Sequence, residues 1–262
     1  MNGTRFWLVC TALSCTTACD LETSLAPRVD LDVVVQPTQD TFTTNDDTTI
    51  QLAEARMALE TIEFTTEGEM HARRGLLPAL HDVLIPTAFA HPGHAAGGEV
   101  VGELGGRYVV DFLDPGAVLG AATLLSAEYS GANFGFSRAE ARDGLDLDDP
   151  IIGHTFMLAG TATRGDVQVD FVAYVDQDLD RDIVGLPLAF TATEASTESL
   201  GLRFDPVDSI EGDSIFDGVD LVSLDDDRDG FVELSATEHT EAWATLRRNL
   251  QVHDHYAVEV IP

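Results

Sequence analysis

The sequence predicts a mainly β fold, a β-sandwich with one C-terminal amphipathic helix. Short apolar runs recur along the chain, several alternating with polar residues, and turns that contain Gly or Pro separate them. Clear helical periodicity occurs only once, over 236–250. Hydrophobic residues make up 44% of the 262 positions, which is enough for a substantial core.

The first 18 residues predict a signal peptide of the lipoprotein type. Arg5 precedes an apolar run, Phe6–Ser14, that is too short to span a bilayer. A small residue precedes both Cys15 and Cys19, and both segments resemble the lipobox of bacterial lipoproteins. We assign lipidation to Cys19, because polar sequence begins directly after it. Processing at Cys15 and ordinary cleavage with free secretion are the alternatives.

Residues 19–47 predict a flexible tether, because Thr, Asp and Pro dominate them, with one short strand at the apolar run Val33-Val34-Val35. In organisation the chain resembles the secreted lipoproteins of high-GC bacteria, a resemblance that implies no particular activity. It implies that the folded domain, 48–262, lies at the bacterial cell envelope, lipid-anchored or secreted. The expected membrane contact is the lipid anchor alone.

The charge of the chain argues against a nucleic-acid partner. The sequence has 46 acidic and 14 basic residues, a formal charge of −32. Such a surface repels phosphate and anionic lipid. It is compatible with hard divalent cations such as Ca²⁺, which favour carboxylate and other oxygen ligands.

Paired strands are expected in the middle of the domain. Glu99–Leu104 and Arg107–Leu113 are predicted to pair across a Gly-Gly turn. The clearest hairpin joins His154–Thr163 to Val167–Val175 through Arg164-Gly165-Asp166. Turn composition explains that triplet better than an integrin-ligand role does.

The segment 213–250 is predicted to hold an acidic loop followed by the helix. Ser235 and Glu238 match a capping box at the start of the helix. The apolar face of the helix contains Trp243, Leu246 and Leu250. A last strand is predicted at His253–Ile261.

The acidic loop has the spacing of a calcium site. Hard cations such as Ca²⁺ take about six to eight oxygen ligands from carboxylate-rich loops. The loop resembles those of EF-hand and dockerin modules over nine residues, and the resemblance implies the ligands Asp225, Asp227, Asp229, the Phe231 carbonyl and Glu233, with Gly230 at the sharp turn. It departs from that pattern at position 12, where Ala236 replaces a bidentate acid, and the nearest substitute, Glu238, has the competing capping role.

Four histidines predict a second metal site, for zinc or copper. His91 and His94 lie in one loop, and His253 and His255 would share one face of the last strand because strand side chains alternate. The alternative is that the two pairs are separate surface histidines. A second acidic run, 176–182, has alternating Asp residues but lacks a glycine at the sixth place.

These patterns predict a cell-surface metal-binding protein without catalytic activity, with calcium in the acidic loop and zinc or copper at the histidines. One alternative is a structural or adhesion module of the envelope that calcium stiffens. Another is a metal-dependent hydrolase. The sequence contains no nucleophile elbow, phosphate-binding glycine loop or dinucleotide fingerprint.

Overall fold

A computed structural model of the protein describes residues 27–66 and 98–262. The predicted signal peptide, Cys19, His91 and His94 lie outside the described residues. The strands are β1 Arg28–Val35, β2 Thr41–Thr43, β3 Thr49–Thr66, β4 Glu99–Asp111, β5 Val118–Leu125, β6 Glu128–Phe136, β7 Phe156–Arg164, β8 Val167–Val175, β9 Asp182–Thr191, β10 Ser199–Phe204, β11 Phe231–Leu234 and β12 Tyr256–Ile261. The α-helices of the described residues are α1 Leu221–Leu224 and α2 Thr240–Asn249, and neither is long and apolar enough to cross a membrane.

The described strands form one mixed sheet, which confirms the mainly β prediction. The main path runs β11-β8-β7-β3-β4-β5-β1-β10-β12, while β2 and β6 branch from β3, and β9 pairs with β6. The long strand β3 makes this branching possible, because its first half pairs with β7 and its second half with β4 and β6. Parallel pairing occurs between β1 and β10 and between β8 and β11.

The main core is one cluster of buried side chains to which most of the strands and α2 contribute, and its aromatic rings include those of β6, β10 and β12. Phe134 in β6 meets Tyr256 in β12 edge to face, with ring centroids 5.2 Å apart. Phe204 at the end of β10 contacts Tyr256 at 5.7 Å and Phe112 at 5.3 Å. The sheet therefore folds over one aromatic core, with the strand faces opposed as in a sandwich, although the hydrogen-bonded sheet is continuous.

The folded body begins earlier than the sequence suggested. Strand β1 pairs with β5 on one side and with β10 on the other. Its residues alternate between exposed Asp30 and Asp32 and buried Leu31, Val33 and Val35. The prediction of a flexible tether over 19–47 is therefore wrong from residue 28 onward, because the acidic residues occupy the outer face of a central strand; the short strand expected at 33–35 is the end of β1.

Two further boundaries differ from the expected ones. Strand β4 runs through both halves of the predicted 99–113 pair without turning at its glycines, and it pairs along its length with β3. Helix α2 begins at Thr240 and not at 236. The predicted hairpin β7–β8 is confirmed, with nine residues in each strand and a turn at Gly165.

A turn immediately before α2 explains why the helix begins later than the sequence predicted. The Ser235 hydroxyl accepts a hydrogen bond from the Glu238 amide at 3.1 Å, which is one half of a capping box. The bond closes a turn ahead of the helix, and the chain then passes through left-handed His239 (φ 52°) before α2 starts. Helix α2 is fixed to the sheet by the Trp243 indole N–H, which donates to the Tyr174 carbonyl at 2.8 Å.

Candidate calcium site

The acidic loop is held at both ends by elements packed on the core. It leaves α1, where Leu221 is buried, and it enters β11, where Val232 is buried. Strand β11 lies parallel to β8, and the Asp170 amide donates to the Gly230 carbonyl at 2.8 Å. The loop is thus a short connection between two fixed points, which limits the positions that its carboxylates can reach.

Three of the predicted ligands converge. One carboxylate oxygen from each of Asp225, Asp227 and Asp229 lies within 4.8 Å of the others. Asp225 accepts hydrogen bonds from two amides inside the loop, those of Asp229 at 3.1 Å and Gly230 at 3.2 Å. Asp229 in turn accepts from the Phe231 amide at 2.9 Å. These bonds fold the loop around its first aspartate.

Backbone conformation explains why alternate carboxylates meet. In an extended chain the side chains of residues 225, 227 and 229 would lie in a row about 7 Å apart. Here Arg228 (φ 60°) and Gly230 (φ 83°) adopt the left-handed conformation, which curls the chain. Glycine adopts this conformation without steric cost, whereas an arginine does so at a cost of about 1 kcal/mol.

The other predicted ligands are placed differently. Glu233 points from the exposed side of β11 and is outside the group of three carboxylates. Phe231 is the first residue of β11, and its side chain is 47% exposed. Ala236 occupies position 12, as the sequence indicated. A cation here would be held by three carboxylates, with a main-chain carbonyl and water completing its shell.

The geometry has an electrostatic cost without a cation. Two carboxylates at about 4–5 Å repel each other by about 1 kcal/mol in bulk water, and by more where solvent is restricted. Just before the loop, Asp220 accepts hydrogen bonds from the Ser223 amide at 3.1 Å and hydroxyl at 2.7 Å. Partial burial acts to raise the pKa of Asp220, but these bonds and Arg164 outweigh burial and hold its pKa below the usual value.

An arginine that the sequence assigned only to a turn supports this region. Arg164 contacts Asp46 at 2.9 Å and Asp220 at 3.0 Å, and it donates to the Ser223 hydroxyl at 3.0 Å. It therefore ties α1 to the β2–β3 and β7–β8 turns. The arginine of the Arg-Gly-Asp triplet is occupied by these contacts. Asp46 lies 118 residues away from Arg164, so no local pattern could have revealed the pair.

The histidines at the C-terminus do not form the predicted strand pair. His253–His255 is a single 3₁₀ turn that precedes β12, so the alternation that would place both imidazoles on one face is absent. His255 is buried, and its Nδ1 lies 2.9 Å from the Asp205 carbonyl oxygen. Burial lowers the pKa of His255. His253 Nε2 lies 3.0 Å from Asp254.

The second acidic run is dispersed among partners. Asp176 contacts His154 at 3.1 Å, and Asp178 pairs with Arg247 at 2.6 Å. Asp182 is the first residue of β9. The aspartates of this run therefore face different neighbours. Within the described ranges, the acidic group that converges is the one at 225–229.

No family model, curated protein or solved structure matches this chain. The function is therefore inferred from the chemistry of the acidic loop itself.

Proposed function

We propose that this chain is a metal-binding protein of the bacterial cell surface that takes up Ca²⁺ at Asp225, Asp227 and Asp229. The observation that carries the proposal is the convergence of three carboxylates in a loop whose ends are fixed. A bound cation would replace their mutual repulsion with attraction.

The donor set favours calcium over other divalent ions. Carboxylate and carbonyl oxygens are the ligands of hard cations, whereas zinc favours nitrogen and sulfur. Magnesium requires near-ideal octahedral geometry and keeps much of its water, while calcium tolerates an irregular, partly hydrated shell. Because position 12 supplies no bidentate acid, we expect affinity in the range of extracellular calcium modules, a Kd of about 0.1–1 mM.

The proposed role of the ion is structural. The loop joins α1 to β11, and β11 pairs in parallel with β8. Neutralising the loop would stabilise this junction, and with it the approach to α2. The surface location is proposed from the sequence, through the lipobox at Cys19. Zinc or copper binding by His91, His94, His253 and His255 remains a separate prediction.

Isothermal titration calorimetry with calcium tests the proposal. We expect the wild type to bind one calcium ion per chain, and Asp227→Asn to bind at least about tenfold more weakly because one charged ligand is lost. Asp166→Asn is the matched control, since Asp166 is an exposed aspartate in the β7–β8 turn. Equal calcium affinity in wild type and Asp227→Asn would refute the assignment.

A further inference from the structure

One outer face of the sheet carries a regular array of uncharged polar side chains, here called the threonine face. It covers β2, β3, β7, β8 and β11. Cross-strand register defines two rows. One row contains Thr43, Thr49, Thr163 and Gln168. The other contains Thr41, Gln51, Thr161, Asp170 and Phe231.

The two rows point away from the core. Residues between the rows, such as Phe42, Ile50 and Ala162, are buried, so the row residues lie on the opposite side of the sheet. All the row residues in β2, β3, β8 and β11 are exposed, and Thr161 and Thr163 are half-buried between their neighbours. The next row across the strands ends in Glu54 and Glu233, which mark the border of the face.

Most polar side chains of this face have no hydrogen-bond partner among the described residues; the Thr41 hydroxyl, which donates to Asp40 at 3.1 Å, is the exception. No hydrogen bond to the rest of the described chain is made by the side chains of Thr43, Thr49, Gln51, Thr161, Thr163 and Gln168. By contrast, the hydroxyl of Thr123, an outer-face threonine in β5, donates a hydrogen bond to Asp30 at 2.9 Å. The face thus presents six adjacent hydroxyl or amide groups with their hydrogen-bonding capacity available to a ligand.

The charge of the face differs from that of the chain. The protein carries a formal charge of −32, yet Asp170 is the one charged residue in the two rows. A cationic partner would be drawn to the acidic surfaces outside this face, and an anionic partner would be repelled by the whole protein. The complementary partner is therefore uncharged and rich in hydroxyl groups.

We infer that the threonine face binds an uncharged polysaccharide. Threonine hydroxyls and glutamine amides both donate and accept, so they match sugar hydroxyls. Phe231 is 47% exposed at the end of its row and offers an aromatic surface to the apolar side of a sugar ring. Five strands at about 4.8 Å spacing give a platform about 19 Å long, sufficient for several sugar units in a row.

The competing occupants are a second copy of the chain and a protein partner. Stable protein interfaces bury an apolar centre with aromatic anchors. On the threonine face the apolar contribution of the two rows is Phe231 alone, and it stands at the edge. Rows of hydroxyl and amide groups with one peripheral ring suit a hydrated polymer better than a dry protein interface.

Co-sedimentation with insoluble neutral polysaccharides tests this inference. Purified full-length protein is mixed with cellulose, chitin, a β-1,3-glucan or starch, and with calcium alginate gel as the anionic comparison. We expect saturable binding to at least one neutral polymer and weaker binding to alginate. Absence of binding to every neutral polymer, or equal binding to alginate, would overturn the inference.

Two triple variants locate the binding surface. Gln51→Ala/Thr161→Ala/Phe231→Ala removes three contacts from the face, and we expect at least about tenfold weaker binding to the polymer. The control triple, Val118→Ala/Thr191→Ala/Ile210→Ala, alters exposed residues elsewhere.

Circular dichroism and melting temperature establish that both triple variants are folded, and light scattering reports their oligomeric state. The control triple should bind the polymer like the wild type. Polymer binding unchanged in the face variant would contradict the inference. So would a wild-type dimer that the face variant dissociates, since the face would then belong to self-association.

Discussion

Asp225→Asn separates the part that Asp225 plays in folding the loop from its part in holding a cation. Without calcium, two opposing effects accompany the change. The two carboxylate oxygens of Asp225 accept from the Asp229 and Gly230 amides, and an amide side chain can accept through one oxygen only. The lost bond costs about 1 kcal/mol. Removing one charge relieves repulsion with Asp227 and Asp229 by about 1 kcal/mol per pair, less in salt. The free energy of unfolding without calcium should therefore change by no more than about 1 kcal/mol.

With calcium the two proteins should differ. An ion that binds only the native state stabilises it by RT ln(1 + [L]/Kd). For a Kd of about 0.1–1 mM, about 10 mM free calcium stabilises the wild type by about 1.4–2.7 kcal/mol. For a domain of this size, that free energy corresponds to a rise in melting temperature of about 3–10 °C. Asp225→Asn should lose most of this rise.

Differential scanning calorimetry measures the effect. Each protein is scanned in EDTA and in calcium, with magnesium at the same concentration as the comparison and Asp166→Asn as the matched control. A wild-type melting temperature that calcium leaves unchanged would contradict the calcium site. So would a full calcium-dependent rise in Asp225→Asn, or an equal rise with magnesium.

Three further predictions concern the fold. Trp243→Phe should lower the free energy of unfolding by about 1–2 kcal/mol in urea titrations, because the Tyr174 carbonyl loses its indole donor. Leu246→Ala should cost about 2–5 kcal/mol in the same assay, because this fully buried side chain attaches α2 to the core; a cost typical of a surface residue would show that α2 is not docked. Burial lowers the pKa of His255, so the unfolded chain binds a proton more readily than the folded one, and wild-type stability should fall as pH drops below about 6.5. His255→Gln should reduce that fall between pH 7.5 and 5, whereas an unchanged pH dependence would contradict the burial of this imidazole.

Local signals in the sequence were sufficient to predict that the acidic loop brings its aspartates together and that β7 and β8 form a hairpin. The loop depends on Asp225, Asp227 and Asp229 and on a glycine five residues after the first of them, all within one short segment. The hairpin depends on two alternating runs and a glycine turn. In both cases the interactions that form the structure lie between near neighbours, so residue spacing carries the information.

Only the last three residues of β1, 33–35, were predicted as a strand, because composition and periodicity pointed in different directions. Its aspartates gave the segment the composition of a linker, while their alternation with Leu31 and Val33 was that of a half-buried strand. Its partners, β5 and β10, are distant in the sequence. Pairing with them is what orders the segment, and no local pattern reports that pairing.

The histidine prediction depended on where the last strand begins, and the strand begins three residues later than predicted. Extending the last strand to His253 placed two imidazoles on one face, whereas the chain turns through 253–255 before β12 begins. The turn leaves His255 buried beside the Asp205 carbonyl. Secondary-structure boundaries are set by such tertiary contacts, which alternation alone does not contain.

The central claim is that Asp225, Asp227 and Asp229 bind one calcium ion. A crystal structure determined with millimolar calcium tests it most directly, using anomalous scattering to identify the ion. We predict a peak in contact with a carboxylate oxygen from each of the three aspartates, at calcium–oxygen distances of about 2.3–2.6 Å. A loop without an ion at a calcium concentration well above the expected Kd would contradict the claim.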